Sequence, residues 1–428
     1  MRTRRVLVCA PLMPEFDRES GSRRIFHLIE LLQASGWSVT FYAENMTEGQ
    51  RYAHLLQQRG VMVYGGVHSQ GIAADAYLPN PRTLLELERF DLAIVAFWYF
   101  AEALLPLLRT YTPRTRVLVD SVDLHFLRES RSIFHRKDPA SPPPLLGPQF
   151  ASELVRELNL YASVDGVLTV SQKEADLIDD LLATPHHAHA VPDMEALPPS
   201  PVPFKDRNGL LFVGNFRHPP NRQAVRYLFE QIVPLLNPNI LEQHPLSVVG
   251  NGLTPDVYAL GAGVPHVKMI GWVPSIRPYF NQACLSLVPL RYGAGTKRKV
   301  IETLQVGTPC IATPIGIEGL GLRHGEHVLV AEDAEAFAAS IEALSADEPL
   351  WHRLAEQGRA HIMATHSREA VRRALTEALD GVMDKTPRGA QTPTTLAWLS
   401  NELAERMQRA KVGVKHVLQT MRIRAQLK

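Results

Sequence analysis

Cysteine is scarce in this sequence. There are three in 428 residues, and Cys9, Cys284 and Cys310 all fall in apolar runs that read as strands. A disulfide framework is therefore not expected, and a reducing cytoplasm is the compartment that fits. Long hydrophobic runs are missing too. No stretch approaches the ~20 apolar residues of a membrane span, and the N-terminal MRTRRVLVCAPLMP meets prolines well before a secretory h-region would be complete. Excess charge is absent: 45 Lys and Arg face 44 Asp and Glu, a formal net charge of +1. No overall field recruits nucleic acid, so electrostatic work must be local. Asp-x-Asp occurs nowhere, and His186, His187 and His189 lack a flanking acid at a fixed spacing, so no metal site is expected.

What is present is an ordinary soluble composition, 45% hydrophobic and 21% charged, on a chain long enough for two cores. Strand-like runs at 5–10, 38–43, 61–64, 92–96, 117–120 and 166–170 are mostly separated by helical stretches, an alternation that implies a parallel, doubly wound α/β sheet. Five prolines in 191–204 mark a linker. Beyond it, strands at 210–213, 246–249 and 267–270 each run into glycine, and helices at 333–345, 349–365 and 368–383 close the second half.

The densest chemistry lies in 289–320, PLRYGAGTKRKVIETLQVGTPCIATPIGIEGL. Gly293, Ala294 and Gly295 leave a turn almost bare of side chains, and a helix is expected over 296–306. Backbone N–H groups at such a helix start suit an anion. Lys297, Arg298 and Lys299 add charge where the macrodipole is already positive, which asks for a negative partner. Gly307 suits the C-cap, 309–312 reads as a buried strand, and Gly316 lies in a second strand-to-helix turn. By itself the pattern fits a phosphate site or an ordinary loop with a solvated basic face.

Other candidates carry two readings each. Gly21 either lets a ligand approach a helix start or merely eases a turn. The aromatic run 97–100, with Trp98 and Tyr99, lies at a strand's carboxyl end, where an acceptor platform competes with core packing for at least two of the four. In DSVDLHFLRESR, Asp123 can cap the following helix and His125 can be a helix-start histidine, with Arg128 just beyond. Ser171-Gln172-Lys173-Glu174 reads as a capping box. Pro219 and Pro220 can simply start a helix expected near Asn221.

Residues 289–320 resemble the nucleotide-sugar-binding segment of family 4 glycosyltransferases with the GT-B fold. Three further stretches match one branch of that family in order: VGNFRHPPN at 213–221, VGNG at 249–252 and DSVDLHFLRE at 120–129. The resemblance covers about 4–383. It implies two Rossmann-like doubly wound domains facing a central cleft. In the notation of this chain these are 1–190 for the acceptor and 209–365 for the nucleotide-sugar, joined by the linker 191–208. A closing helix at 366–385 would return towards the first domain, and a basic amphipathic tail at 386–428 lies outside the resemblance.

The resemblance also implies roles. His125 would lie near the transferred sugar, with Asp123, Arg128, Trp98 and Tyr99 on the acceptor side. Gly214, Asn215 and Arg217 would face the donor diphosphate together with Gly293, Gly295, Thr296, Lys297 and Lys299. The backbone at Trp272 and Val273 would meet the base, Glu302 the ribose hydroxyls, and Gly21, Gly316 and Glu318 would complete the donor site. One departure stands out: the wider family has a glutamate eight positions before Glu302, where this chain has Ala294. Lys297, Lys299 or Glu318 would have to replace what that residue does.

The implied reaction is transfer of a hexosyl or deoxyhexosyl group from a nucleotide-sugar to a glycan, lipid-linked or protein acceptor, with retention, without metal or separate cofactor. Arg217 and Lys297 would neutralise the leaving group. A GT-B hexosamine epimerase and a non-catalytic partner subunit share the fold as alternatives. The tail carries an apolar stripe (Leu403, Met407, Ala410, Val414, Val417, Met421) among basic residues, which suits a membrane surface, self-packing or a coiled coil. The expected location is cytoplasmic, with the tail as the peripheral membrane contact.

Overall fold

The computed structural model describes residues 3–46, 49–65, 81–134, 147–196 and 198–391. The amphipathic tail expected at 386–428 therefore falls almost wholly outside the described residues, as does most of the proline-rich loop ahead of Pro148.

In chain order the first elements are β1 (Arg5–Leu12), α1 (Ser20–Ala34), β2 (Ser38–Asn45), α2 (Gln50–Gln58), β3 (Met62–Gly65), α3 (Pro81–Leu87), β4 (Leu92–Ala96), α4 (Trp98–Tyr111), β5 (Arg116–Asp120), α5 (His125–Phe134), α6 (Pro148–Ser163), β6 (Gly166–Thr169), α7 (Gln172–Leu182) and β7 (Ala188–Ala190). The linker leads to β8 (Leu210–Val213), α8 (Pro219–Tyr227), α9 (Pro238–Gln243), β9 (Leu246–Val249), α10 (Pro255–Gly261), β10 (Val267–Gly271), α11 (Arg277–Gln282), β11 (Leu285–Val288), α12 (Arg298–Gln305), β12 (Cys310–Ala312), β13 (Leu329–Val330), α13 (Ala334–Ala346), α14 (Glu348–His366) and α15 (Arg368–Met383).

The chain forms two compact units. The first comprises the described residues of 1–121, 158–168 and 379–391. Its strands run in the order β3-β2-β1-β4-β5-β6, with parallel pairing throughout. β4 is buried along its whole length, as a strand covered on both faces must be, and this is why it reads as a continuous apolar run. A buried Arg24 guanidinium on α1 donates to Asp120 at the end of β5 at 2.9–3.0 Å, so that carboxylate serves the interior. The chain after 379 belongs here as well: Arg116 donates to the carbonyls of Val382 and Lys385, and Arg388 N–H to Asp165.

The second unit, 122–157 and 169–378, contains a parallel sheet in the order β10-β9-β8-β11-β12-β13. Counted from β8 this is the same 3-2-1-4-5-6 winding as in the first unit. Each sheet therefore has one point where the strand order reverses, between β1 and β4 and between β8 and β11. The loops beyond the carboxyl ends of those strands diverge to opposite faces and leave a crevice. The core beneath is built from Phe212, Phe216, Leu285, Leu287, Val300 and Ile301, all essentially inaccessible.

The periodic strands appear where expected. Two short ones, β7 and β13, were not anticipated, because two or three residues carry no measurable period. Two helix starts also differ. Pro219 and Pro220 occupy the first turn of α8, where a missing N–H costs nothing. α12 begins at Arg298, so Thr296 and Lys297 precede the helix, with Lys297 as the N-cap.

Candidate functional site

The β8/β11 reversal brings together the two glycine-bearing loops of the second unit. After β8, a Cβ on Gly214 would lie 3.2 Å from Asn221, so the loop closes against the first turn of α8. Asn221 Nδ2 donates to Asn215 O at 2.9 Å, and Asn215 Oδ1 accepts the Arg217 N–H at 3.1 Å. The Arg217 side chain is left exposed. From α12, Lys299 Nζ donates to Asn221 Oδ1 at 2.7 Å and sits 5.2 Å from the centre of the Phe212 ring.

After β11 the turn uses its glycines conformationally, with Gly293 at φ 142° and Gly295 at φ 67°. Gly295 is also crowded: a Cβ there would lie 3.2 Å from Asp123 Cβ. The Lys297 side chain folds back on the turn and donates to Gly295 O at 2.5 Å and Ala294 O at 3.3 Å. Burial pushes its ammonium down to about 8, against the opposing pull of Glu318 and Glu174. Lys299 is pushed down to about 7, by burial first and then by Lys297. The third expected cation does not join them. Arg298 is buried and ion-paired with Glu195, and Thr296 Oγ1 donates to Asp193 at 3.0 Å. The start of the proline-rich linker thus anchors the turn from below, a job its composition did not reveal.

The 122–128 segment reaches the same turn. Val122 holds φ 61°, costly for a β-branched residue, and delivers Asp123 towards Gly295. Asp123 accepts from Arg128 at 2.5 Å and lies 3.3 Å from His125 Nε2. Burial acts to raise the Asp123 carboxyl, but the His125 hydrogen bond and the Arg128 charge outweigh it and hold it below the usual range. Asp123 is not the helix cap. The buried Glu157 on α6 takes that place, accepting the backbone N–H groups of His125 at 3.1 Å and Phe126 at 2.9 Å. A carboxylate there also complements the positive end of α5.

Beyond β12, Gly316 closes a turn on Thr313, donating to its carbonyl at 2.9 Å. A Cβ would meet Val288 O at 2.8 Å, so only glycine fits. Glu318 lies two residues on and is already engaged. Arg131 donates to it through both terminal nitrogens at 2.5 and 2.8 Å, and Lys173 does so at 2.6 Å. Burial opposes ionisation, yet these partners hold the carboxyl down to about 2. Arg131 also donates to Gly293 O at 2.6 Å, so Glu318 and the glycine turn share one clamp.

The expected capping box at the start of α7 is only half made. Ser171 accepts the Glu174 N–H at 3.3 Å, but the Glu174 carboxylate turns away and accepts the Gly295 N–H at 2.9 Å. Leu127, Arg131, Glu174, Gly295 and Glu318 are among the residues around a cavity of about 410 Å³.

The remaining candidates are more dispersed. Glu302 is buried on α12, four residues past the turn of Arg298. Trp272 is 65% exposed after β10, with Val273 half-buried beside it. In the first unit, Gly21 is the second residue of α1, and Tyr99 is exposed and stacked on Phe97. Trp98 corrects the acceptor-platform expectation: it is 5% exposed and packs into the core under α4. Among the described residues no three His, Cys, Asp or Glu side chains converge as metal ligands would, and no helix is long and apolar enough to cross a membrane.

Glu174, Arg131, Asp193, Glu195 and Glu157 join this constellation although nothing in the local sequence marks them for it. Their only local signals were an apparent capping box, a charged helix face and acids in a proline-rich stretch.

Two family models match the chain, the glycosyl transferase 4-like domain over 21–193 and the glycosyl transferases group 1 over 207–347. An uncharacterized 44.6 kDa protein in the cps region of Klebsiella pneumoniae is 26% identical over 43% of this chain and 48% of its own length. The lipopolysaccharide core biosynthesis glycosyltransferase LpsE of Rhizobium meliloti is 30% identical over 26% of this chain and 34% of its own length. The chain thus spans half or less of these curated relatives. Among solved structures, sucrose-phosphate synthase of Thermosynechococcus elongatus superposes with a TM-score of 0.64 at 16% identity, covering 89% of this chain and 100% of that one. HepE of Anabaena, in complex with UDP and glucose, gives 0.65 at 12% identity, covering 88% and 99%. With both halves matched in order and two Rossmann-like windings of identical strand order, the chain belongs to the group 1, family 4 glycosyltransferases of the GT-B fold.

Proposed function

We propose that the protein transfers a sugar, with retention of configuration, from a nucleotide-sugar to a glycan or lipid-linked acceptor of the cell envelope, in the cytoplasm and without a metal or separate cofactor. The observation that carries this is the pair of lysines at the β8/β11 reversal, Lys297 buried and Lys299 half-buried. Lys297 folds onto the glycine turn, Lys299 reaches the 214–221 loop, and both are driven towards neutrality by burial. A desolvated cation with lowered proton affinity gains more than a hydrated one from an anion placed beside it. A diphosphate arriving there would favour the charged form of both.

In this reading Lys297 and the exposed Arg217 take up charge as the β-phosphate leaves, which favours the transition state over the ground state. Glu302, with two acceptor oxygens, receives the ribose hydroxyls. The backbone at Trp272 and Val273 meets the base. His125, oriented by Asp123, stands beside the reacting sugar. The names of LpsE and of the cps-region protein favour an envelope glycan as acceptor, and the HepE complex makes UDP the first nucleotide to try.

The test is Lys297→Ala in the full chain, assayed for transfer and for donor binding. Turnover should fall by orders of magnitude at modest cost in donor affinity, and added chelator should change neither in the wild type. Normal turnover in the variant, or loss of wild-type activity with chelator, overturns the metal-free clamp.

A further inference from the structure

Glu174 is a buried acid of the second unit that the reaction just described leaves unused. One oxygen accepts the Gly295 N–H at 2.9 Å, while the other is buried and has no hydrogen-bond partner among the described residues. Its backbone is fixed by the Ser171 cap on α7, so the side chain is held against the turn. The groups facing it come from three other elements. Lys297 lies on the glycine turn. Asp123, held by His125 and Arg128, comes from the β5–α5 segment. Glu318, held by Arg131 and Lys173, follows β12. Burial pushes the Glu174 carboxyl up to about 7; the Gly295 N–H and Lys297 oppose the rise, and Asp123 and Glu318 add to it. Ionised, it is a built-in counter-anion to Lys297, seated on a backbone N–H of the glycine turn.

We propose that Glu174 is a positioning residue for the glycine turn that takes up a proton from solvent when a diphosphate binds there. The inference rests on the diphosphate reading given above. An anion beside Lys297 adds like charge next to the Glu174 carboxylate and draws off the attraction of the lysine, so the neutral acid becomes the favoured form. A protonated Glu174 still accepts from Gly295 through its carbonyl oxygen and so keeps the turn in place. The only bond made is O–H.

The experiment is calorimetric titration of the full chain with UDP near pH 7, in buffers of different ionisation enthalpy, for the wild type and for Glu174→Gln. The glutamine keeps an acceptor for Gly295 but cannot titrate, the proton exchange of UDP itself cancels in the difference, and the carboxyl 13C shift of Glu174 in the wild type separates its proton from those taken up by Lys297 and Lys299. The wild type should take up a measurable fraction of a proton per UDP more than the variant, and its affinity should fall more steeply between pH 6 and 8. Equal proton counts overturn the proposal while leaving the diphosphate site standing. No UDP binding to the wild type removes the diphosphate reading and this inference with it. Should Glu174→Gln not fold, the carboxyl 13C shift of Glu174 in the wild type decides: its midpoint must rise with UDP, and an unmoved midpoint is fatal.

Discussion

Lys299 Nζ donates to Asn221 Oδ1 at 2.7 Å, joining α12 to the 214–221 loop across the point where the strand order reverses. The same amide holds Asn215 O through its nitrogen, so one side chain fixes both the loop and the lysine. Substituting Asn221→Ala and Lys299→Met singly and together should give non-additive losses in UDP affinity, with a coupling of about 0.5–3 kcal/mol, the range for residues in one hydrogen-bonded network. Additive losses would mean that the two loops bind independently.

His125 sits at the first position of α5 with its ring 3.3 Å from Asp123 and takes no part in the hydrogen bonds of Lys297 and Lys299 to the two loops. His125→Ala should therefore lower turnover and leave UDP affinity close to wild type. Transfer at the wild-type rate would reduce the residue to a structural role.

Glu318 gives a pH signature. Its folded-state carboxyl is held at about 2, below the ordinary 4.5, so the clamp with Arg131 and Lys173 stabilises fully above pH 4.5 and is lost as pH falls through about 2. Glu318→Gln should lower Tm at pH 6, where it strips two cations of their partner. The gap to wild type should close as both are taken from pH 4.5 towards pH 2. A gap that stays constant across that interval would show that the clamp contributes nothing through charge.

The winding was legible because it is written in local periods. β1, β4, β8 and β9 are apolar runs of the right length, the last two running straight into glycine, and burial on both faces of a parallel sheet demands such runs. The turn at 293–295 was legible for a related reason, since its positive φ values need glycine wherever the rest of the chain goes. Arg298 shows the limit. In sequence it is indistinguishable from Lys297 and Lys299, yet α12 begins at this residue and its side chain turns inward to Glu195, 103 positions away.

The sequence by itself determined the alternation of strands and helices that makes two doubly wound sheets, because strand period, helix period and glycine-dependent backbone are properties of a few adjacent residues, whereas the order of the strands is set by tertiary pairing. Tertiary structure alone decided which charged side chains face the turn. Glu174 satisfies the local pattern of a capping box and spends its carboxylate on Gly295, and Asp193 and Glu195 satisfy the pattern of a linker and anchor Thr296 and Arg298. A charge takes the partner that lowers its desolvation cost most. That partner is fixed by the packing of distant segments, a choice no local period encodes.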